Sequence, residues 1–475
     1  MYTTPPANLF RLHHPRPRFK NQTQEVINYI ALSISELGTI PTSDFNSKLD
    51  VAIRLFPGNF GSKPKTIANW RTEISTLFAM MRSEDGLTTP TRTAARLSQN
   101  QDLIEFFRHF LLTFQYPGGH VKSHEAAEMI RVGIKFHPAS FFIEVLLAGQ
   151  EIKNSGSKFG ISPSEATHLI LHDLRVTARH ELSPEEIART ILANRESHTE
   201  YIREGDVIRY AKDILDYMVI ADILTYRPAT DTYSLNAKSI SAALAMKNSA
   251  AIFSGYDHLY QRNPTAADVA ECQLEWIDFV NQERSIAGFA DDISEILAFS
   301  SDESLEPVDA IFMEGIKKAM VGNANDIGRI GEALAIAHEQ NRLRAIGRND
   351  LVDRVMKIPE NFGVGYDIKS FEVPSDATAD APLYVEVKTT RSRSKNLLMS
   401  FKMTHNEWTV SEHNESYCIY RILLTPEGPS LFVIRNPWEQ YVKGAISMTP
   451  RDGAEITYTP ECGRWEEFQL QKSTS

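Results

Sequence analysis

The residues whose types and spacing could do chemistry lie late in the chain. Asp367 falls within GYDIKSF, just after a glycine turn, and Glu386 and Lys388 fall within LYVEVKTT. The second segment alternates strictly. Leu383, Val385 and Val387 therefore point one way from a strand, and Tyr384, Glu386 and Lys388 point the other. The chain between Asp367 and Glu386 is long enough for a strand, a loop and the return into an adjacent strand. Two carboxylates so placed, with the backbone carbonyl of Val387, suit Mg²⁺, a hard cation that prefers oxygen ligands and keeps several waters. At a phosphodiester such an ion activates water and stabilises charge on the attacking and leaving oxygens. Lys388 adds a cation that orients the water or steadies the charge of the transition state. Whether it acts as a general base stays open, since the sequence does not show its pKa.

The elements that must position these residues are also legible. NDIGRIGEALAIAHEQNRL reads as a helix with Asn325 or Asp326 as N-cap and with Ile327, Ile330, Leu334 and Ala337 on one face. Glu332 and Glu339 share another face, and Gly331 allows close packing on a sheet. YCIYRILL and SLFVIRNP are apolar runs of strand length that would complete that sheet. FKMTHNEW has a structural account: Thr404 and Glu407 form a capping box, Met403 is a staple residue and Trp408 is core. An E-V-K strand alone is also what a solvent-facing ladder looks like. The weight rests on the combination.

Bulk composition narrows the classes. The 475 residues suffice for two or three domains, and 42 % apolar with 23 % charged residues is ordinary for a soluble globular protein. Cys272, Cys418 and Cys462 are too scattered for a disulfide framework or a zinc site, which points to a reducing cytoplasm. No apolar stretch is long enough to span a bilayer, and the N-terminus lacks the apolar core of a secretory signal. The net charge of −11 argues against a general polyanion binder. Its distribution does not: residues 1–24 and 387–403 are basic without a single acid, while acids crowd residues 290–309.

The N-terminal half reads as helical. FRLHHPRPRFKNQ is expected to be an extended basic arm. A helix opening at Pro64 buries Ile67, Trp70, Ile74 and Leu77 and leaves Lys65, Asn69, Arg71 and Glu73 on the other side. DGLTTPTRTAARLS should form a hairpin or wing carrying Arg92, and Ser98 is expected to N-cap the apolar helix from Leu103 to Phe114. Helices followed by a short hairpin resemble a winged-helix DNA-binding domain. A second such unit is expected where a helix from Val207 to Ile223 leads into strands at Thr225–Arg227 and Thr232–Leu235. SSDESLEP, acidic and ending in Pro307, reads as linker.

GYDIKSF followed by YVEVKTT resembles the PD-(D/E)XK nuclease superfamily, with Tyr366 where a proline is usual. IGRIGE, GYDIKSF, VEVKTT and FKMTHNEW together look like a C-terminal nuclease module of restriction and phage-defence proteins, over about a quarter of the chain. The resemblance implies a central mixed sheet flanked by helices, the tripeptide Glu386–Val387–Lys388, and Glu332 as an extra acidic residue of the site. With FFRHFLLTFQYPGGH, the arrangement resembles type II restriction endonucleases of the BpuJI or AlwI kind, with N-terminal recognition and C-terminal cleavage. The expectation is thus an α+β multi-domain chain: a winged-helix recognition domain with its arm over 1–120, a second helical or winged-helix domain over 121–250, a helical linker region over 251–324 and the nuclease domain over 325–475. Lys65, Asn69, Arg71, Arg92, Arg391 and Arg393 are the candidates for contact with double-stranded DNA. A cognate DNA methyltransferase and a homodimer are the expected partners, with no membrane association. A phage-defence or modification-dependent nuclease of low specificity, or a regulator with an inactive nuclease fold, are the alternatives.

Overall fold

The computed structural model describes residues 2, 4–16, 23–56, 59, 61–100, 103–153, 158–203, 208–284, 327–358, 364–373, 381–391, 400–425, 428–451 and 453–469. Contacts divide the chain into two compact units, one of residues 1–99 and 103–289, the other of residues 100–102 and 290–475.

The first unit is mainly helical. The helix Pro64–Leu77 forms as expected: Pro64 opens it, and Ile67, Trp70, Ile74 and Leu77 are buried. A hairpin follows, β2 (Met81–Glu84) with β3 (Leu87–Pro90), turning at Asp85 and Gly86, both with positive φ. A two-residue strand before them in the chain, β1 (Ile40–Pro41), pairs with β3 and makes a three-stranded sheet that sequence patterning did not predict. The second expected hairpin is present as β4 (Leu224–Arg227) and β5 (Thr232–Leu235). It is tied inward by the antiparallel bridge between Ile161 and Tyr233.

Four expectations change here. Arg92 is not in the hairpin but begins the helix Arg92–Asn100, because the wing ends at Pro90. Ser98 does not cap the next helix; it lies within Arg92–Asn100 and donates to the Ala95 carbonyl at 2.8 Å. The N-terminal segment is not a free arm over residues 4–16. Leu12 is fully buried, the Phe10 amide bonds the His172 carbonyl at 3.0 Å, and Arg16 pairs with Asp213. Arg18 and Lys20 lie outside the described residues. The linker expected from residue 251 cannot start there. The Ala251 amide bonds the Leu112 carbonyl at 3.0 Å, and Phe253, Tyr256, Leu259 and Trp276 are buried in the same core as Phe107 and Phe110. Asn325 and Asp326 also lie outside the described residues.

The second unit is built on a mixed sheet. Its strands are β6 (Met356–Lys357), β7 (Ile368–Glu372), β8 (Ala381–Arg391), β10 (Tyr417–Thr425), β11 (Gly428–Arg435) and β14 (Arg464–Glu466). They run in the order β14-β11-β10-β8-β7-β6, with β8 and β10 parallel and the other neighbours antiparallel. One face packs on the helix Ile327–Ala345 through Ile330, Leu334, Val385, Val387, Tyr420 and Leu431. Gly331 makes that approach possible, since a Cβ there would collide with the Thr389 side chain of β8. The opposite face carries Tyr417, Ile419, Phe432 and Ile434. Against it lies a second sheet of β9 (Ser400–Met403), β12 (Ile446–Arg451) and β13 (Gly453–Tyr458), together with the helix His405–Glu412.

Candidate active site

The alternation in β8 does what the residue pattern requires. Leu383, Val385 and Val387 are buried towards the helix Ile327–Ala345, so Glu386 and Lys388 emerge together on the far face. Asp367 stands one residue ahead of β7, whose ladder with β8 begins at Ile368 opposite Val385. Its amide bonds the Val385 carbonyl at 3.0 Å, and its carbonyl accepts the Ile358 amide at 2.7 Å. The Val387 amide then donates to Asp367 Oδ2 at 2.8 Å. Gly365, at φ +80°, makes the turn before Asp367, and its carbonyl accepts the Tyr417 hydroxyl at 2.9 Å.

Lys388 Nζ lies 2.7 Å from Glu386 Oε1 and 2.8 Å from Glu407 Oε2. The capping box of Thr404 and Glu407 exists as expected, with Trp408 buried behind it. Glu407 therefore has a second contact, with Lys388, that its capping account concealed. Arg421, in register with Lys388 on β10, is buried and donates through Nη1 to the Lys388 carbonyl at 3.0 Å. It too escaped the sequence reading, although a lone arginine inside YCIYRILL is its signal.

Three carboxylates around one ammonium leave negative charge uncompensated in a water-poor place. Burial pushes Glu386 well above the usual carboxylate range, and Asp367 and Glu407 add to the shift against the pull of Lys388. Burial likewise raises Asp367, which the Val387 amide and Lys388 offset only in part. For Lys388 burial acts against its charge, but Glu386 and Glu407 outweigh it and hold the pKa above the ordinary lysine value. The two carboxylates thus favour the charged form of Lys388.

The donor set suits a hard divalent cation. In a strand, the N–H and C=O of one residue face the same edge, so the Val387 carbonyl shares the edge on which its amide meets Asp367. Among the described residues no group of three or more His, Cys, Asp or Glu could hold a metal ion. Asp367, Glu386 and a main-chain oxygen would leave the remaining positions to water and substrate, as Mg²⁺ prefers.

Glu332 lies on the helix Ile327–Ala345 that packs on β8. It pairs with Lys357 of β6, whose charge in turn acts on Asp367. Glu339, on the same helix, belongs to the fold: Arg342, Ser370 and the Tyr420 hydroxyl (2.6 Å) all bond its buried carboxylate. Arg391 ends β8, but its side chain, like all of Arg393, lies outside the described residues.

In the first unit an open cleft of about 1140 Å³ is lined by His13, Arg16, Asn69, Thr72, Lys122 and Arg209, among others. Of the proposed DNA contacts, Asn69 faces it. Arg71 turns elsewhere and bonds Asp50 Oδ1 at 2.7 Å, and Arg92 pairs with Glu283 at 2.8 Å. Lys65 is exposed on the first turn of its helix.

Residues 2–277 match the family described as restriction endonuclease BpuJI, N-terminal. The chain belongs to the BpuJI family. In line with that, 58 % of the chain superposes on 99 % of a solved BpuJ1 endonuclease binding domain, crystallised in complex with pyrene- and phenanthrene-modified DNA. The TM-score is 0.52 at 18 % identity, so the BpuJI-type fold is what the two share. Residues 331–434, which hold the site, match a second family described as protein NO VEIN, C-terminal. No curated protein matches this BpuJI-family chain. Among its described residues no helix is long and apolar enough to cross a membrane.

Proposed function

We propose that the chain is a type II restriction endonuclease that hydrolyses phosphodiester bonds of double-stranded DNA at a specific site, with Mg²⁺. The observation that carries this is the union of Asp367 with the Glu386–Val387–Lys388 strand through the 2.8 Å bond from the Val387 amide. On this reading the second unit is a PD-(D/E)XK nuclease domain. Asp367, Glu386 and the Val387 carbonyl hold Mg²⁺, which when bound supplies water activation and charge stabilisation at the scissile phosphate. Lys388, kept charged by its carboxylate neighbours, faces a phosphate oxygen as its charge grows. Glu332 acts at one remove, setting Lys357 beside Asp367.

The first unit is then the reader. The helix Pro64–Leu77 followed by the β2–β3 hairpin supports a winged-helix reading of residues 1–120, and the helix Arg209–Ile220 before β4–β5 supports a second over 121–250. Its family membership, and the DNA in the related solved complex, support duplex DNA as the ligand. The cleft beside Asn69, with Lys122 and Arg209, is the proposed interface, since phosphate contacts position a duplex and base edges specify it. A cytoplasmic, prokaryotic setting, a cognate methyltransferase that protects the host and pairing of two copies to cut both strands complete the proposal.

Digestion of a sequenced plasmid with Mg²⁺, with fragment ends mapped, tests it. Discrete fragments sharing one site support restriction. A smear, or cutting only of modified DNA, would replace it with a defence nuclease of low specificity, and no cutting would leave an inactive nuclease fold.

A further inference from the structure

We propose that Glu407 is a positioning residue for Lys388, holding the ammonium in place when Glu386 turns its carboxylate to a divalent cation; this rests on the nuclease reading above. Lys388 Nζ sits between Glu386 Oε1 at 2.7 Å and Glu407 Oε2 at 2.8 Å. Glu386 cannot serve both masters fully. A divalent cation drawing on its oxygens competes with the ammonium for the same electron density, and the two cations repel each other. A lysine stem is flexible and its ammonium strongly hydrated, so with Glu386 alone Lys388 would either stay as a rival counter-ion or swing away.

Glu407 is built to prevent that. It occupies the third position of the helix His405–Glu412, where its amide bonds Thr404 Oγ1 at 3.2 Å. Its Oε2, the oxygen that meets Lys388, also accepts the Thr404 amide at 3.1 Å. The carboxylate is thus held by the Thr404 main-chain amide as well as by Lys388, and Thr404 Oγ1 serves only the backbone of the cap. The helix that carries it is anchored by Trp408, packed on Trp438 and Tyr441, and by Phe401 and Met403 of the preceding strand. A capping residue alone needs none of this alignment with a half-buried lysine on β8.

Capping boxes accept Gln as well as Glu at this position, so Glu407→Gln keeps the cap and the shape while removing the charge. Thr404→Ala does the reverse. In the full-length protein, Glu407→Gln should lower kcat about 10–100-fold, the loss typical of an outer-shell partner, with KM and Tm unchanged. It should also weaken Ca²⁺ binding measured by calorimetry several-fold. Thr404→Ala should lower Tm while leaving kcat and Ca²⁺ affinity near wild type. A Glu407→Gln enzyme with wild-type kcat and Ca²⁺ affinity overturns the proposal, as does a kcat loss matched by Thr404→Ala at equal residual stability. If Mg²⁺ supports cleavage that Glu386→Ala abolishes, the nuclease reading stands and such a result sinks this inference alone. If the wild type never cleaves, the Ca²⁺ comparison still decides it.

Discussion

The Val387 amide donates to the Asp367 carboxylate at 2.8 Å, across the point where the β7–β8 ladder ends. One peptide group thereby fixes the distance between the two acidic segments of the site. Asp367→Asn can still accept that bond through its amide oxygen but loses the charge. It should fold as wild type and lose more than the ~10–100-fold in kcat typical of outer-shell partners. A variant that cleaves normally would remove Asp367 from the metal site.

Glu386→Ala should abolish Mg²⁺-dependent cleavage and leave DNA affinity unchanged, because the reader lies in the other unit. Retained cutting in a plasmid assay would be decisive against the assignment.

The helix Ile327–Ala345 lies so close to β8 that Gly331→Ala would place a Cβ 2.8 Å from Thr389 Cβ. Overpacking of this kind costs about 1–3 kcal/mol. Denaturant melts of the second unit should show the loss, and adding Thr389→Ala should recover part of it. Unchanged stability would mean that the helix can lift off the sheet freely.

Asn69 and Arg71 part company. Asn69 faces the cleft, whereas Arg71 is spent on Asp50. Asn69→Ala should weaken specific DNA binding by about 1–3 kcal/mol if it reads a base edge. Arg71→Ala should cost no more than about 1 kcal/mol of stability, as for a partly exposed ion pair, and little specificity. The reverse ranking in a binding titration would put the duplex on the other side of the helix.

His137 gives the first unit an acid limit. Its Nδ1 accepts the Ser140 amide at 3.2 Å, so the ring is neutral with its proton on Nε2, which faces the Leu112 carbonyl at 3.1 Å. Burial pushes its pKa from 6.5 down to about 4. The unfolded chain therefore takes up the proton first. The stabilisation is whole above pH 6.5 and is lost as pH falls towards 4, on the order of 3 kcal/mol in all. Tm should drop over that window, and His137→Gln should flatten the drop. Superimposable wild-type and variant profiles would exclude His137 as its source.

By itself the sequence determined the elements whose signals are local. Strict alternation made LYVEVKTT a strand with Glu386 and Lys388 on one face, Pro64 opened a helix at its first turn, and Thr404 with Glu407 capped another. Each follows from a period or a hydrogen bond within a few residues of chain. Tertiary structure alone decided what meets across distance. It joined β1 to the hairpin, folded residues 251–284 into the first core, and turned Arg71 and Arg92 to acids instead of outward. It also brought Glu407 to Lys388 and left Glu332 with Lys357. Charged side chains on long stems find partners through the packing of remote elements, and no periodicity along the chain records which partner that will be.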